Sequence, residues 1–319
     1  MHTSFSKKAL LSASVFAAAF ALSSFVFTPV AVAADTSAKT AYTHQTAPTQ
    51  FIDANGTKLA YRRFGKAKGV PLIMLQHFVG NMDSWDPKVV DGLARDRQVV
   101  LFDNAGVASS DGEVPKTVEG MAAHAINLMT ALGIKKADLL GFSLGSLVAQ
   151  EVALERPELV RRLIIVGSGP RGGVGMATLT PEFQAALAKK HEVPDELLLD
   201  VFFTPTPKSQ AAGREFLKRL RARTVNRDGD INDKVAQAQV AAFAAWGAPS
   251  ANAGDYLKKI SQPTLVISGS NDIVHYTINS FNLQQSLPNA QLIVYPDTNH
   301  GSLYQYPDLF LTHVRTFLD

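Results

Sequence analysis

Short apolar runs at 71–75, 99–102, 137–140, 163–166, 264–268 and 291–295 each break off into a loop rich in glycine or polar residues. Continuous runs of this length predict strands covered on both faces, and helically spaced stretches such as 118–132 lie between them. The alternation predicts an α/β protein: a doubly wound, mostly parallel sheet with helices on both faces. Ahead of it, Phe51 to Phe64 holds two short runs around Ala54-Asn55-Gly56, where Asn-Gly supplies the positive φ angles of a tight antiparallel hairpin. Parallel sheets of this kind bind ligands beyond the carboxyl ends of their strands. The loops beginning near Gln76, Asp103, Gly141 and Gly167 all fall at such ends.

From 170 to 262 the strand signals stop. Thr180-Pro181 opens one helix with a capping hydroxyl and a first-turn proline, and helices are predicted over 196–203, 209–225 and 233–246. This segment reads as a helical cap inserted into a core made of 51–169 and 263–319, which a helix over 308–318 closes. Its place after the run 163–166 would lay it over the strand ends as the roof of a pocket.

The first residues follow a different pattern. Lys7 and Lys8 lead into the apolar stretch Ala9 to Phe27, then Pro29 and Ala31-Val32-Ala33. That order predicts a secretory signal peptide over 1–34, cleaved after Ala33 or Ala34, and an exported protein, periplasmic or extracellular. An uncleaved membrane anchor is the alternative, since the apolar run approaches the length that spans a bilayer. Residues 35–50, rich in Thr, Ala and Gln, read as a flexible leader. Cleavage would remove both lysines and lower the formal charge from +3 to +1, with no stable membrane association remaining.

Composition adds little beyond exclusions. At 319 residues the chain can bury a large core without metals or disulfides, and it contains no cysteine. No Lys/Arg block with interleaved aromatics occurs, so a nucleic-acid partner is not expected. No His-Glu-x-x-His or comparable cluster suggests a metal. Gly167-Ser168-Gly169-Pro170-Arg171-Gly172 fits a dinucleotide-binding spacing, but Pro170 and the further glycines read as an exit into the cap, with no helix starting there to receive a pyrophosphate. No cofactor is expected.

The chemistry centres on Gly141-Phe142-Ser143-Leu144-Gly145, where a predicted strand turns abruptly into a helical pattern. This is the spacing of a nucleophile elbow, in which glycines let a strained serine stand above the sheet. Two more residues stand in loops after later strands, giving the chain order Ser143, Asp272, His300. With Gln76-His77-Phe78, Phe102-Asp103-Asn104-Ala105-Gly106, Gly269-x-x-Asp272 and Asn299-His300-Gly301, the chain from Phe51 onward resembles the α/β-hydrolase superfamily. Within it, the bacterial serine esterases and cofactor-free haloperoxidases are most similar. The resemblance implies Ser143 as nucleophile, His300 as general base and then acid, Asp272 as the orienting acid, and the backbone N–H groups of Phe78 and Leu144 as oxyanion donors.

Other residues compete for these roles. Asp297 and Asp103 are alternative acids, and His275 is an alternative base; His124 and His313 lie in predicted helices, and His77 is expected to shape the oxyanion loop. Phe78, Phe142, Leu144, Phe243 and Trp246 are the expected lining of an apolar acyl pocket. Ser146, where relatives commonly carry glycine, is expected to hold its helix slightly further out. The expected function is hydrolysis of a small carboxylic ester or related acyl compound. Alternatives are peracid formation on the same triad, carbon–carbon bond or lactone hydrolysis, and, from another class, a ligand receptor that keeps the triad without turnover.

Overall fold

The computed structural model describes residues 42–319; the expected signal peptide and residues 35–41 of the leader lie outside them. The apolar runs form strands at the expected places. The elements are β1 (Gln50–Ala54), β2 (Thr57–Gly65), β3 (Leu72–Leu75), α1 (Pro87–Ala94), β4 (Gln98–Phe102), α2 (Val118–Ala131), β5 (Ala137–Phe142), α3 (Leu144–Glu155) and β6 (Val160–Val166). After them come α4 (Pro181–Ala188), α5 (Leu197–Phe202), α6 (Pro207–Leu220), α7 (Asp233–Gly247), β7 (Thr264–Gly269), α8 (Ile278–Ser286), β8 (Ala290–Tyr295), α9 (Ser302–Gln305) and α10 (Pro307–Leu318).

The strands make one sheet in the order β1-β2-β4-β3-β5-β6-β7-β8, in which β1 and β2 run antiparallel to their neighbours and the other pairs are parallel. The hairpin between β1 and β2 turns through Asn55 and Gly56, both at positive φ. Side chains alternate across the pleat, so Ile73, Leu139 and Ile165 enter one core while Met74, Leu140 and Val166 enter the other. Helices α2, α3 and α8 cover the first face; α1, α6, α9 and α10 contribute to the second. The sheet order reverses between β3 and β5, and that crevice is where doubly wound sheets bind ligands.

The segment between β6 and β7 carries α4 to α7, as the loss of strand signal there predicts. Thr180 caps α4 by accepting the Phe183 N–H at 3.2 Å. Asn232 caps α7, its side chain accepting the N–H groups of Lys234 and Val235.

The leader needs correction over its last residues. The 43–49 stretch is docked, not free: His44 and Ala47 are buried, and the His44 N–H donates to Asp91 at 2.6 Å. Arg223, at the end of the α6 region, donates to the carbonyls of His44 and Ala47. Composition missed this because the anchors are distant in sequence. They belong to a buried ionic cluster in which Arg62 on β2 pairs with Asp83 and, at 3.1 Å, with Asp228, while Arg223 lies 3.4 Å from Asp83. Charges this deep persist only when paired, so the cluster ties leader, sheet and cap loop together.

Candidate active site

Strand β5 delivers Ser143 at φ 55 and ψ −120, a conformation that side-chain-bearing residues rarely adopt and that costs about 1–3 kcal/mol. Neighbouring structure enforces it. The Ser143 N–H donates to the Val166 carbonyl at 2.9 Å, and the Ser143 carbonyl accepts the Ser146 N–H at 2.8 Å. Both elbow glycines are required by space. A β-carbon on Gly141 would strike the backbone of Gly145, and one on Gly145 would strike the carbonyl of Leu75 on β3. Ser146 adds hydrogen bonds at this junction. Its buried hydroxyl lies 2.6 Å from the Gly141 carbonyl and accepts the Val166 N–H at 3.0 Å, stitching the start of α3 to the ends of β5 and β6.

The loops after β7 and β8 bring Asp272 and His300 together. The His300 Nδ1–H donates to the Asp272 carboxylate, 2.8 Å from Oδ2 and 3.0 Å from Oδ1. Asp272 Oδ1 also accepts the N–H groups of Val274 (2.9 Å) and His275 (3.0 Å). Burial works against the charged carboxylate, but His300 and these donors outweigh it and hold its pKa below the usual range. The opposite ring atom of His300, Nε2, is buried with no hydrogen-bond partner among the described residues. His300 and Ser143 line one cavity, so an imidazole fixed by its acid and a serine held on a strained elbow share a chamber. Gly167, first of the dinucleotide-like glycines, serves that arrangement: at φ 55, a β-carbon there would press to 3.0 Å from His300 Cε1. No helix opens at that turn; α4 begins at Pro181.

The competing acids and bases are engaged elsewhere. Asp297 accepts the hydroxyls of Thr204 (2.6 Å) and Thr206 (2.7 Å), and Asp103 accepts the Met82 N–H at 2.8 Å. His124 pairs with Asn104, and His313 with the Tyr295 hydroxyl. His275 donates from Nδ1 to the Gly167 carbonyl at 2.9 Å, and burial lowers its pKa to about 4, so it stands neutral beside His300.

The loop after β3 runs alongside the elbow, because Leu75 pairs with Gly141 in the sheet. The Phe78 and Leu144 N–H groups donate to no other group among the described residues, and Phe78 lines the cavity. His77 folds over its own loop, with Nδ1 2.8 Å from the Phe78 carbonyl, and burial lowers its pKa to about 4. It therefore shapes the loop as a neutral ring.

The cavity measures about 870 Å³ and is largely apolar, lined by Phe183, Leu187, Leu198, Val201, Phe202 and Phe243 from the helical insertion. Three expected lining residues are not on its wall. Phe142 is wholly buried beneath His300, because the pleat turns it into the core face opposite the serine. Trp246 is buried against Tyr256 and Arg171, on the face of α7 turned to the other core. Leu144 is likewise a core side chain, leaving only its backbone N–H for the site. Among the described residues, no group of three or more His, Asp or Glu side chains is placed to hold a metal ion.

Comparison with known proteins agrees with this architecture. A family model described as alpha/beta hydrolase fold matches residues 70–307. A solved α/β-hydrolase-fold protein from Chitinophaga pinensis is 42% identical, with a TM-score of 0.82 over 87% of this chain and 99% of its own. A solved N-acyl homoserine lactone degrading enzyme is 26% identical at a TM-score of 0.64, covering 84% of this chain and 100% of its own. The putative non-heme bromoperoxidase BpoC of Mycobacterium tuberculosis is 25% identical over 263 residues, 78% of this chain and 94% of its own. With a match of that extent laid on this sheet and these strand-end loops, the chain belongs to the α/β-hydrolase family.

Proposed function

We propose that the protein is an exported serine hydrolase that cleaves a carboxylic ester or related acyl compound through an acyl-enzyme on Ser143. The observation that carries the reading is the Asp272–His300 pair, whose histidine keeps an unpartnered Nε2 and lines the cavity that Ser143 also lines. In the first step Nε2 takes the Ser143 proton as Oγ attacks the acyl carbon, and the carbonyl π electrons move onto its oxygen. The Phe78 and Leu144 N–H groups receive that oxyanion, Leu144 with the added field of the α3 N-terminus. Collapse expels the alcohol, which leaves with the proton from His300. Water then repeats the sequence on the acyl-enzyme and releases the acid. Asp272 holds the imidazole tautomer throughout.

A cavity of about 870 Å³ exceeds what a short-chain ester fills, and its apolar wall favours a longer or bulkier acyl group than the smallest esters carry. The similarity to an N-acyl homoserine lactone degrading enzyme supports acyl compounds as a class. The similarity to a putative non-heme bromoperoxidase supports a second reading, in which hydrogen peroxide replaces water and forms a peracid. Export rests on the basic, apolar and small-residue order of 1–34.

The test is a fluorophosphonate probe with a panel of acyl esters of increasing length. Wild type should label and turn over, and Ser143→Ala should do neither. Persistent labelling of Ser143→Ala would remove the assignment, and peracid yield measured on the same ester separates the two readings.

A further inference from the structure

In the loop that follows β3, each backbone N–H from His77 to Asn81 has an acceptor except that of Phe78. The His77 N–H donates to Gln76 Oε1 at 2.8 Å, Gly80 to the His77 carbonyl at 3.1 Å, and Asn81 to Ser84 Oγ at 3.1 Å. The Val79 N–H donates to Gln239 Oε1 at 2.7 Å. The first three bonds are local, whereas Gln239 lies on α7, 160 residues away in sequence. Its side chain is buried. Val79 is a β-branched residue at φ 47, a conformation the free loop would leave. Relaxation there would turn the 78–79 peptide and shift the Phe78 backbone, and with it the adjoining 77–78 peptide that carries the Phe78 N–H. One helical turn after Gln239, Phe243 sets its ring 5.9 Å from that of Phe78, so a single face of α7 grips both residues.

We propose that Gln239 is a positioning residue that holds the oxyanion loop in its strained form from the cap. Phe243 and Val240 on the same helix line the cavity, so an acyl group long enough to pack on α7 presses the helix onto the loop. The oxyanion donor is thereby set by the part of the chain that contacts the substrate. This inference rests on the serine hydrolase reading.

Gln239→Met keeps length and volume and removes the acceptor; Gln239→Glu keeps an acceptor oxygen. On a long-chain ester, Gln239→Met should lower kcat about 10- to 100-fold with KM little changed, because the donor is displaced and not deleted. Its rate of labelling by a fluorophosphonate should fall in proportion, and Gln239→Glu should restore most of both. Should Gln239→Met not fold, Gln239→Ala gives the same comparison. Labelling and kcat of the Met or Ala variant at the wild-type level overturn the inference, as do equal losses in the Glu and Met variants. A wild-type protein that no fluorophosphonate labels overturns the hydrolase reading and this inference together.

Discussion

The ring of Phe142 lies 5.0 Å from that of His300, tilted by 34°, directly beneath the imidazole that Asp272 orients from the side. Trp85, His77, Phe202 and Tyr304 surround the same ring, so His300 rests on an aromatic floor with no side-chain freedom below it. Phe142→Ala should therefore destabilise the protein by about 3–5 kcal/mol, measured by chemical denaturation, through the cavity it leaves. Phe142→Leu should fold, lower kcat and leave the preference for acyl length unchanged. A changed length preference in Phe142→Leu would put the ring back on the pocket wall.

Asp272→Asn keeps an oxygen for the N–H groups of Val274 and His275 but stabilises the wrong imidazole tautomer. We expect a fall in kcat on the order of 10⁴-fold with the fold intact. Asp297→Asn, whose carboxylate serves Thr204 and Thr206, should leave kcat near the wild-type value. The reverse ranking of these two variants would identify Asp297 as the orienting acid.

Burial depresses the pKa of His44, His77 and His275 from 6.5 to about 4. Between pH 6.5 and 4 the unfolded chain binds more protons at these sites than the folded one, so each contribution to stability is lost as the pH falls through that window. Asp228 acts in the opposite sense. Burial raises its carboxyl to about 6, so its charge penalty is absent near pH 4 and grows as the pH rises to 6. Asp103, which burial and Asp228 hold well above the ordinary carboxylate range, acts in the same sense as Asp228, so the histidine contribution is read by difference: between pH 7.5 and 5, wild type should lose on the order of 1–2 kcal/mol of unfolding free energy relative to His44→Gln. Asp228→Asn should gain on wild type as the pH rises from 4 to 6 and then hold its difference. A difference between wild type and His44→Gln that stays constant from pH 7.5 to 5 would contradict the neutral burial of the His44 ring.

Leu198 on α5 contributes to the cavity wall without being fully buried. Leu198→Trp should shorten the chamber, so kcat/KM for a long-chain ester falls at least tenfold while that for a short-chain ester changes little, in line with about 1–3 kcal/mol per excluded group. Equal effects on both chain lengths would place the acyl group elsewhere.

Much of this arrangement was legible in the chain. Asn55-Gly56 turns the hairpin, Thr180-Pro181 opens a helix, and Ser143, Asp272 and His300 each follow an apolar run, because turn chemistry and strand burial are local properties. An absent glycine at 146 speaks only of space, and it takes the fold to turn the Ser146 hydroxyl into a link between strand ends and helix.

What the sequence determined by itself is the order of elements and the placing of Ser143, Asp272 and His300 in loops at strand ends, since periodicity and turn residues encode both within a few positions. Tertiary structure decided which aromatics face the chamber. Phe142 and Phe243 are indistinguishable as letters, yet the pleat buries one under His300 and the cap turns the other toward Phe78. It also decided that Gln239 holds Val79 and that residues 43–49 dock beneath Arg223. Those contacts join segments more than a hundred residues apart, and only the closing of the chain around its cores brings their polar groups within hydrogen-bond reach.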